Sequence, residues 1–416
     1  MKNMVNLQVA KEKAGGNKVI IRCGAVKRGV LKGVAFFCAL VVFAGVFPVW
    51  GTVAEEPTLT SEAYVLMEGS TGEILCEKDA TKQLRPASIT KIMTLLLIFE
   101  AVESGKISLT DEVGVSEHAA SMGGSQVYLE PYEKQPVETM IKCISIASAN
   151  DASVAMAEFL AGSEEAFVAR MNERAAELGM ENTHFVNCYG LDTDGHYSCA
   201  LDVAKMSREL IMKYPQISNY STVWMDTFVH TTSRGQTEFG LTNTNKLIKT
   251  YQGITGLKTG STGLAKYCLS ATARRDDMNL IAVVMAAPDT KTRFKEAAEL
   301  LNYGFANYQL FTYDFEGAAI GNVPVKAGVV KEIALKPEGV FSKLCSKDVK
   351  KDAIEITYTY EEGLMAPVLA GTPAGSVTFS YGGKEIGNIR LVTADAVAKA
   401  KYSDALFSVW KQYFGR

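Results

Sequence analysis

Three short groups of residues in this 416-residue chain have the types and spacing that nucleophilic chemistry requires. The first is Ser88-Ile89-Thr90-Lys91, at the head of a strongly apolar helical run. Residues three apart share a helix face, so the lysine amine stands beside the serine hydroxyl. Burial that lowers the lysine pKa lets the neutral amine take the serine proton. The helix N-terminus also favours developing negative charge. On its own the pattern reads as an N-capping serine followed by a surface lysine. A second copy, Ser408 to Lys411 near the C-terminus, reads as chance. The second group is Ser148-Ala149-Asn150, in a small-residue run where a loop joins two helices. The third is Lys258-Thr259-Gly260, just before a β-like pair of runs, where a glycine permits close backbone approach by a ligand. Singly these read as capping residues and an exposed turn. Their order on helix, loop and strand is what singles them out.

Other chemistries lack support. The histidines, His118, His184, His196 and His230, are scattered without metal spacing. There is no G-x-S-x-G elbow, no phosphate-binding loop and no C-x-x-C. The total charge of -3 divides into +7 over residues 1–32 and -10 from Glu55 onward, and a net-acidic body is a poor binder of nucleic acid.

The surrounding pattern is α+β. Ala63 to Cys76 reads as a hairpin around Gly69 to Gly72. A helix follows Lys91 and stops at Gly105. Helical periods recur over Val137 to Ala161, Glu164 to Leu178 with Gly179 as C-cap, Asp202 to Met212, and Thr292 to Tyr308. Tyr267 to Ala287 reads as an antiparallel hairpin turning at Arg274 to Asp277. From about Leu310 short alternating runs indicate a small β-rich domain ending near Val392. From Ala394 the chain is expected to be helical again. Leu406, Phe407, Val409, Trp410, Tyr413 and Phe414 form one aromatic face, suited to docking on the preceding domain or to lying in a membrane interface.

The N-terminal basic segment runs into an uncharged stretch, Gly33 to Ala54. This is the order of an export signal cleaved after Ala54, with an uncleaved anchor helix as the rival. Either way the basic end stays inside and the acidic body is exported. The organisation is then residues 1–54 signal, 55–309 catalytic, 310–393 β-rich and 394–416 amphipathic helix. Six cysteines lie beyond the signal. Their irregular spacing favours free thiols, with Cys188 and Cys199 the one pair worth testing.

The three groups together resemble the signature of penicillin-binding proteins and serine β-lactamases. The stretches RPASITKIMT, SMGGSQVYLEP, SIASANDASVAMAE and GITGLKTGSTGLAKYCLSATA are similar to those of low-molecular-mass D-alanyl-D-alanine carboxypeptidases, closest to the sporulation-associated branch of Gram-positive bacteria. The resemblance covers roughly Ala63 to Tyr308 and continues into the β-rich domain and the tail. It implies a serine β-lactamase/transpeptidase-like catalytic domain with an antiparallel sheet and a helical region. It implies that Ser88 is the nucleophile, Lys91 the base and Ser148 a proton relay to the leaving amine. Asn150 would hold Lys91 and the substrate. Lys258 and Thr259 would receive the substrate carboxylate, and the N–H groups of Ser88 and of Ser261, after Gly260, would form the oxyanion hole. The implied partners are a peptidoglycan stem peptide ending in D-Ala-D-Ala, β-lactams, and the outer face of the cytoplasmic membrane through the tail. No metal or organic cofactor is implied. Two alternatives are a β-lactamase, for which the E-x-x-L-N deacylation motif is missing, and an inactive peptidoglycan-binding module, against which the three intact groups argue.

Overall fold

A computed structural model of the protein describes residues 18–21, 56–404 and 410. They fall into two compact units, which divide between Tyr308 and Gln309. In the first unit β1 (Ala63–Glu68) and β2 (Ile74–Lys78) form the expected hairpin. Three later strands, β3 (Ile254–Thr262), β4 (Lys266–Arg275) and β5 (Met278–Ala287), complete an antiparallel sheet of order β2-β1-β5-β4-β3. The β4–β5 turn is short, and both strands are almost wholly buried, so helices must cover both faces of the sheet.

The helices are α1 (Lys91–Glu103), α2 (Asn150–Ala161), α3 (Glu164–Glu177), α4 (Ala200–Lys213) and α5 (Thr290–Asn307). Helix α4 meets the sheet where Ser207 Oγ lies 2.8 Å from Ser270 Oγ. Helix α5 lies against Leu66 and Leu280 through Gly304. Leu280 pairs with Ala273, three residues from Ser270, so the two helices cover opposite faces. Helix α1 is apolar all round. Every residue from Lys91 to Phe99 is buried, which makes it the central helix of the helical layer rather than a surface helix. Arg174 of α3 ties that layer together by pairing with Glu100 of α1 and Glu209 of α4. A hairpin not foreseen in the sequence, Met225–Thr232 with Gly235–Thr242, projects from this unit.

The second unit is all-β. Its main sheet runs Lys18–Ile21, Glu355–Tyr360, Pro373–Tyr381, Lys384–Thr393, Glu332–Pro337, Asn322–Lys326 and Leu364–Met365. The first of these strands lies inside the segment read as an export signal; the rest of that segment lies outside the described residues. An aromatic core fills the unit, with Phe341 and Phe379 stacked at 3.8 Å and Phe311 and Phe315 set edge-on to Phe379. One expectation fails here. Residues from Ala394 to Ala400 are not helical: the chain bends at Ala394 and Asp395, then Val397 bridges Val368 and Lys399 bridges Gly328. Val397 is drawn into a small second core with Val325, Ile333, Ala366 and Val368, and that burial overrides the local helical pattern. A helical turn begins only at Tyr402, and Leu406, Phe407, Val409, Tyr413 and Phe414 lie outside the described residues. Among the described residues, the six cysteines beyond the signal form no disulfide and are buried, including Cys188 and Cys199.

The first unit holds its own N-terminal end through Glu296 of α5. This carboxylate accepts from Thr60 N (2.6 Å), Thr60 Oγ1 (2.6 Å), Ser61 N (3.2 Å) and Ser61 Oγ. Burial opposes the charge, yet the hydrogen bonds from Ser61 and Thr60 win and hold the carboxyl below its ordinary value. A depressed carboxylate stabilises the fold above its unfolded pKa and loses that contribution as pH falls through the folded one. Glu296→Gln is therefore expected to cost about 1.5–3 kcal/mol at neutral pH in urea unfolding. The gap to the wild type should close as pH falls below the ordinary carboxylate range, where the native carboxyl protonates.

Candidate active site

Ser88 sits in a 3-10 turn, Ala87–Thr90, that runs directly into α1. The helix start therefore sets the i,i+3 relation of Ser88 to Lys91. Lys91 Nζ donates to Ser88 Oγ (3.2 Å), Asn150 Oδ1 (2.6 Å) and the carbonyl of Tyr189 (2.7 Å). Three donors thus meet three neutral oxygens. Lys91 is fully buried, and that desolvation brings its pKa down to about 7, against weaker opposing influences from Cys188 and Asp151. Near neutrality the amine is able to accept a proton.

The second group is shaped by a break between helices. Residues Cys143–Ala147 form a widened π turn closed by the N–H of Ser148 on Cys143 O, which also accepts from Ala149 N at 3.1 Å. Ser148 then takes the left-handed conformation (φ 64°, ψ 33°), a costly choice for a non-glycine residue. This turns its hydroxyl toward β3, where Lys258 Nζ donates to Ser148 Oγ at 2.8 Å. Asn150 already belongs to α2, so the expected loop is only two residues, the left-handed Ser148 and the extended Ala149. Asn150 Nδ2 donates to Gly123 O at 2.7 Å, which leaves Oδ1 for Lys91. Asp151, buried beside it, receives the N–H groups of Val127 and Leu129 and so anchors the loop after Gly123.

The third group lies within β3. Lys258 is 1% exposed, with Ser148 Oγ and Thr259 O as its acceptors. Burial first, then the charges of Lys91 and Arg293, push it well below the ordinary lysine value. Thr259 Oγ1 lies 2.6 Å from Thr244 Oγ1, and Ser261 is exposed beyond it. Gly260 lies so close to the turn carrying Ser88 that a Cβ there would come within 2.9 Å of the backbone nitrogens of both Ser88 and Ile89. Ser88, Lys91, Ser148, Asn150, Lys258 and Gly260 are thus linked by direct contacts.

Three participants have no sequence signal of their own. The carbonyl of Tyr189 acts through backbone. Gly190 (φ +91°) leaves room for the carbonyl of Ala87, which a Cβ would meet at 1.9 Å. Arg293 of α5 is 7% exposed and donates to the carbonyls of Gly260 (3.0 Å) and Cys268 (3.3 Å), while its Nε is buried without a partner. Among the described residues no carboxylate hydrogen-bonds to Lys91, Lys258 or Arg293. The site is a cluster of buried bases and cations that lacks a counter-ion, fit for an anionic ligand.

The comparisons agree with this chemistry. Residues 51–289 match the peptidase S11 family, described as D-alanyl-D-alanine carboxypeptidase, and residues 308–399 match the C-terminal domain of penicillin-binding protein 5. The D-alanyl-D-alanine carboxypeptidase DacF of Bacillus subtilis is 42% identical over 82% of this chain and 87% of its own. DacC of Escherichia coli is 32% identical over 93% and 97%. The crystal structure of penicillin-binding protein 5 from Haemophilus influenzae superposes with a TM-score of 0.73 at 30% identity, covering 83% of this chain and 99% of that one. With a family match over more than half of its residues and relatives of this identity over most of its length, the chain belongs to the S11 family of D-alanyl-D-alanine carboxypeptidases.

Proposed function

We propose that the protein removes the terminal D-alanine from peptidoglycan stem peptides ending in D-Ala-D-Ala, with Ser88 as nucleophile. The observation that carries this is Lys91 Nζ, fully buried, 3.2 Å from Ser88 Oγ, with a pKa near 7. Ser88 Oγ attacks the carbonyl of the penultimate D-alanine and its proton passes to Lys91. The N–H groups of Ser88 and Ser261 receive the oxyanion. Collapse breaks the peptide bond. The leaving amine takes a proton through Ser148, whose oxygen accepts from Lys258 and whose own hydrogen stays free to donate. Water then cleaves the acyl-enzyme with the groups in reversed roles. Lys258, Thr259 and Arg293 receive the terminal carboxylate, and Asn150 holds Lys91 and the substrate backbone. A β-lactam presents the same carbonyl and carboxylate and acylates Ser88 likewise.

The relatives' cell-wall names support an exported protein. On this reading residues 1–54 carry the export signal, residues 310–393 form a spacer domain, and the aromatic face of Leu406 to Phe414 lies on the outer surface of the cytoplasmic membrane. No helix among the described residues is long and apolar enough to cross a membrane.

Three outcomes are expected. Incubation with a fluorescent penicillin should label the wild type covalently, and Ser88→Ala should lose both the label and D-alanine release from a pentapeptide by at least about 10³-fold. Retained labelling would remove Ser88 from the role. The rate of penicillin acylation should fall about tenfold per pH unit below about 7, as Lys91 takes up a proton, and level off above it. A flat profile from pH 5 to 8 would exclude Lys91 as the base. Finally, a chain ending at Asp404 should no longer sediment with membranes once the export signal is cleaved, whereas unchanged sedimentation would reject the anchor.

A further inference from the structure

The peptide unit joining Ala87 to Ser88 is gripped on both sides. On one side the Ala87 carbonyl occupies a slot that only a glycine at 190 leaves open. On the other the Ser88 nitrogen faces Gly260 of β3. Ala87 is not glycine, yet it holds φ +48°, a conformation that needs external support. That support comes from Thr90, whose Oγ1 donates to Ala87 O at 2.8 Å. A hydroxyl has one hydrogen, so Thr90 Oγ1 must act as acceptor toward its other neighbour, His196 Nε2, at 2.9 Å. The other ring nitrogen, Nδ1, accepts the N–H of Val186 at 2.9 Å. The polarity of the chain is therefore fixed: Val186 N–H to His196 Nδ1, His196 Nε2–H to Thr90 Oγ1, and Thr90 Oγ1–H to Ala87 O.

Burial keeps the imidazole neutral by lowering its pKa to about 4, with small contributions from His184 and Arg85 in the same direction. His196 and Thr90 are 3% and 0% exposed. The chain is thus sealed from water and holds one tautomer across the neutral range. A trans peptide is planar, so a carbonyl and the N–H that follows it point in opposite directions. Holding the Ala87 carbonyl toward Thr90 aims the Ser88 N–H toward β3. A hydrogen bond accepted by the carbonyl also strengthens its peptide N–H as a donor.

We propose that His196 and Thr90 are positioning residues that orient and polarise the Ser88 N–H for the developing oxyanion. The inference rests on the reading of Ser88 as nucleophile and oxyanion donor, but it concerns residues that never touch the substrate. Thr90→Val keeps the side-chain shape and removes the hydroxyl. It should lower kcat for D-alanine release by about 10–100-fold, somewhat less than loss of a whole oxyanion donor, with KM changed less than about threefold. Thr90→Ser should restore most of that loss. His196→Leu should lower kcat comparably, and His196→Gln, which keeps an N–H near the Nε2 position, should recover it. The double variant Thr90→Val/His196→Leu should be no slower than Thr90→Val alone, because both break one chain.

The ester carbonyl stretch of the penicilloyl enzyme supplies a readout that a merely structural role would not move. It should shift to higher frequency in Thr90→Val and return in Thr90→Ser. Melting temperatures of all variants separate these effects from loss of fold. An unshifted carbonyl stretch, a loss confined to KM, or multiplicative effects in the double variant would each overturn the proposal. Failure of Ser88→Ala to abolish penicillin labelling would instead overturn the reading beneath it.

Discussion

A lysine ammonium removed from water with only neutral oxygens around it is the constraint on which the rest of this structure depends. Moving Lys91 from the ordinary lysine value to about 7 corresponds to roughly 5 kcal/mol. Below about pH 7 the folded protein bears this penalty in full, and it is relieved as pH rises toward the unfolded value. The cost is offset by the helix that carries the residue. Ile92, Met93, Leu95, Leu96, Ile98 and Phe99 are all buried around it. At about 1.5–3 kcal/mol for each fully buried apolar side chain, they outweigh the buried amine. The same burial that lowers the amine thus secures the element holding Ser88 beside it.

From this follows the need for oxygens that cannot turn away. Asn150 is locked because its Nδ2 is committed to Gly123. Tyr189 offers a backbone carbonyl, and the turn after it is held by Asn187 Oδ1, which accepts from Gly190 N at 2.6 Å. Ser148 sits in left-handed backbone between a π turn and α2, a conformation stabilised by the surrounding helices rather than by its own preference. Two glycines complete the assembly by their lack of a side chain. Gly190 admits one side of the 87–88 peptide and Gly260 the other, so helix start, loop and strand close on a single peptide group.

What was legible in the sequence was what is local. Ser88 and Lys91 are one helical turn apart, Ser148 and Asn150 flank one break, and Lys258 to Gly260 occupy one strand, so each pair's relation is written in its spacing. The apolar period of α1 and the β4–β5 hairpin were legible for the same reason. Arg293 was not, because an arginine in an ordinary amphipathic helix reads as surface until the sheet brings it beneath Gly260. The Met225–Thr242 hairpin was missed because its strands are largely exposed and polar and its turn lacks an Asn-Gly or Asp-Gly signal. The extended run before Tyr402 was read as helix by projecting the aromatic period of the tail backward, where Val397 instead packs in a tertiary core.

Desolvation that lowers Lys91 also weakens Lys258 as a cation, and the charge of Lys91 depresses Lys258 further. On the proposed mechanism the substrate resolves this conflict. Its carboxylate supplies the counter-charge that the described residues do not, which raises both lysines toward their charged forms as the serine proton is taken up. In a stem peptide that carboxylate belongs to the terminal D-alanine and departs with it. The acyl-enzyme is then left with uncompensated cations, Lys91 drifts back toward the neutral amine, and a base is available for the incoming water. In a β-lactam the ring opens without releasing the fragment that bears the carboxylate. The counter-ion stays, Lys91 stays protonated, and the step that frees Ser88 lacks its base. On the proposed mechanism the same electrostatic cluster thus treats the two acyl-enzymes differently, losing the counter-ion with the peptide's leaving group and keeping it with the opened β-lactam.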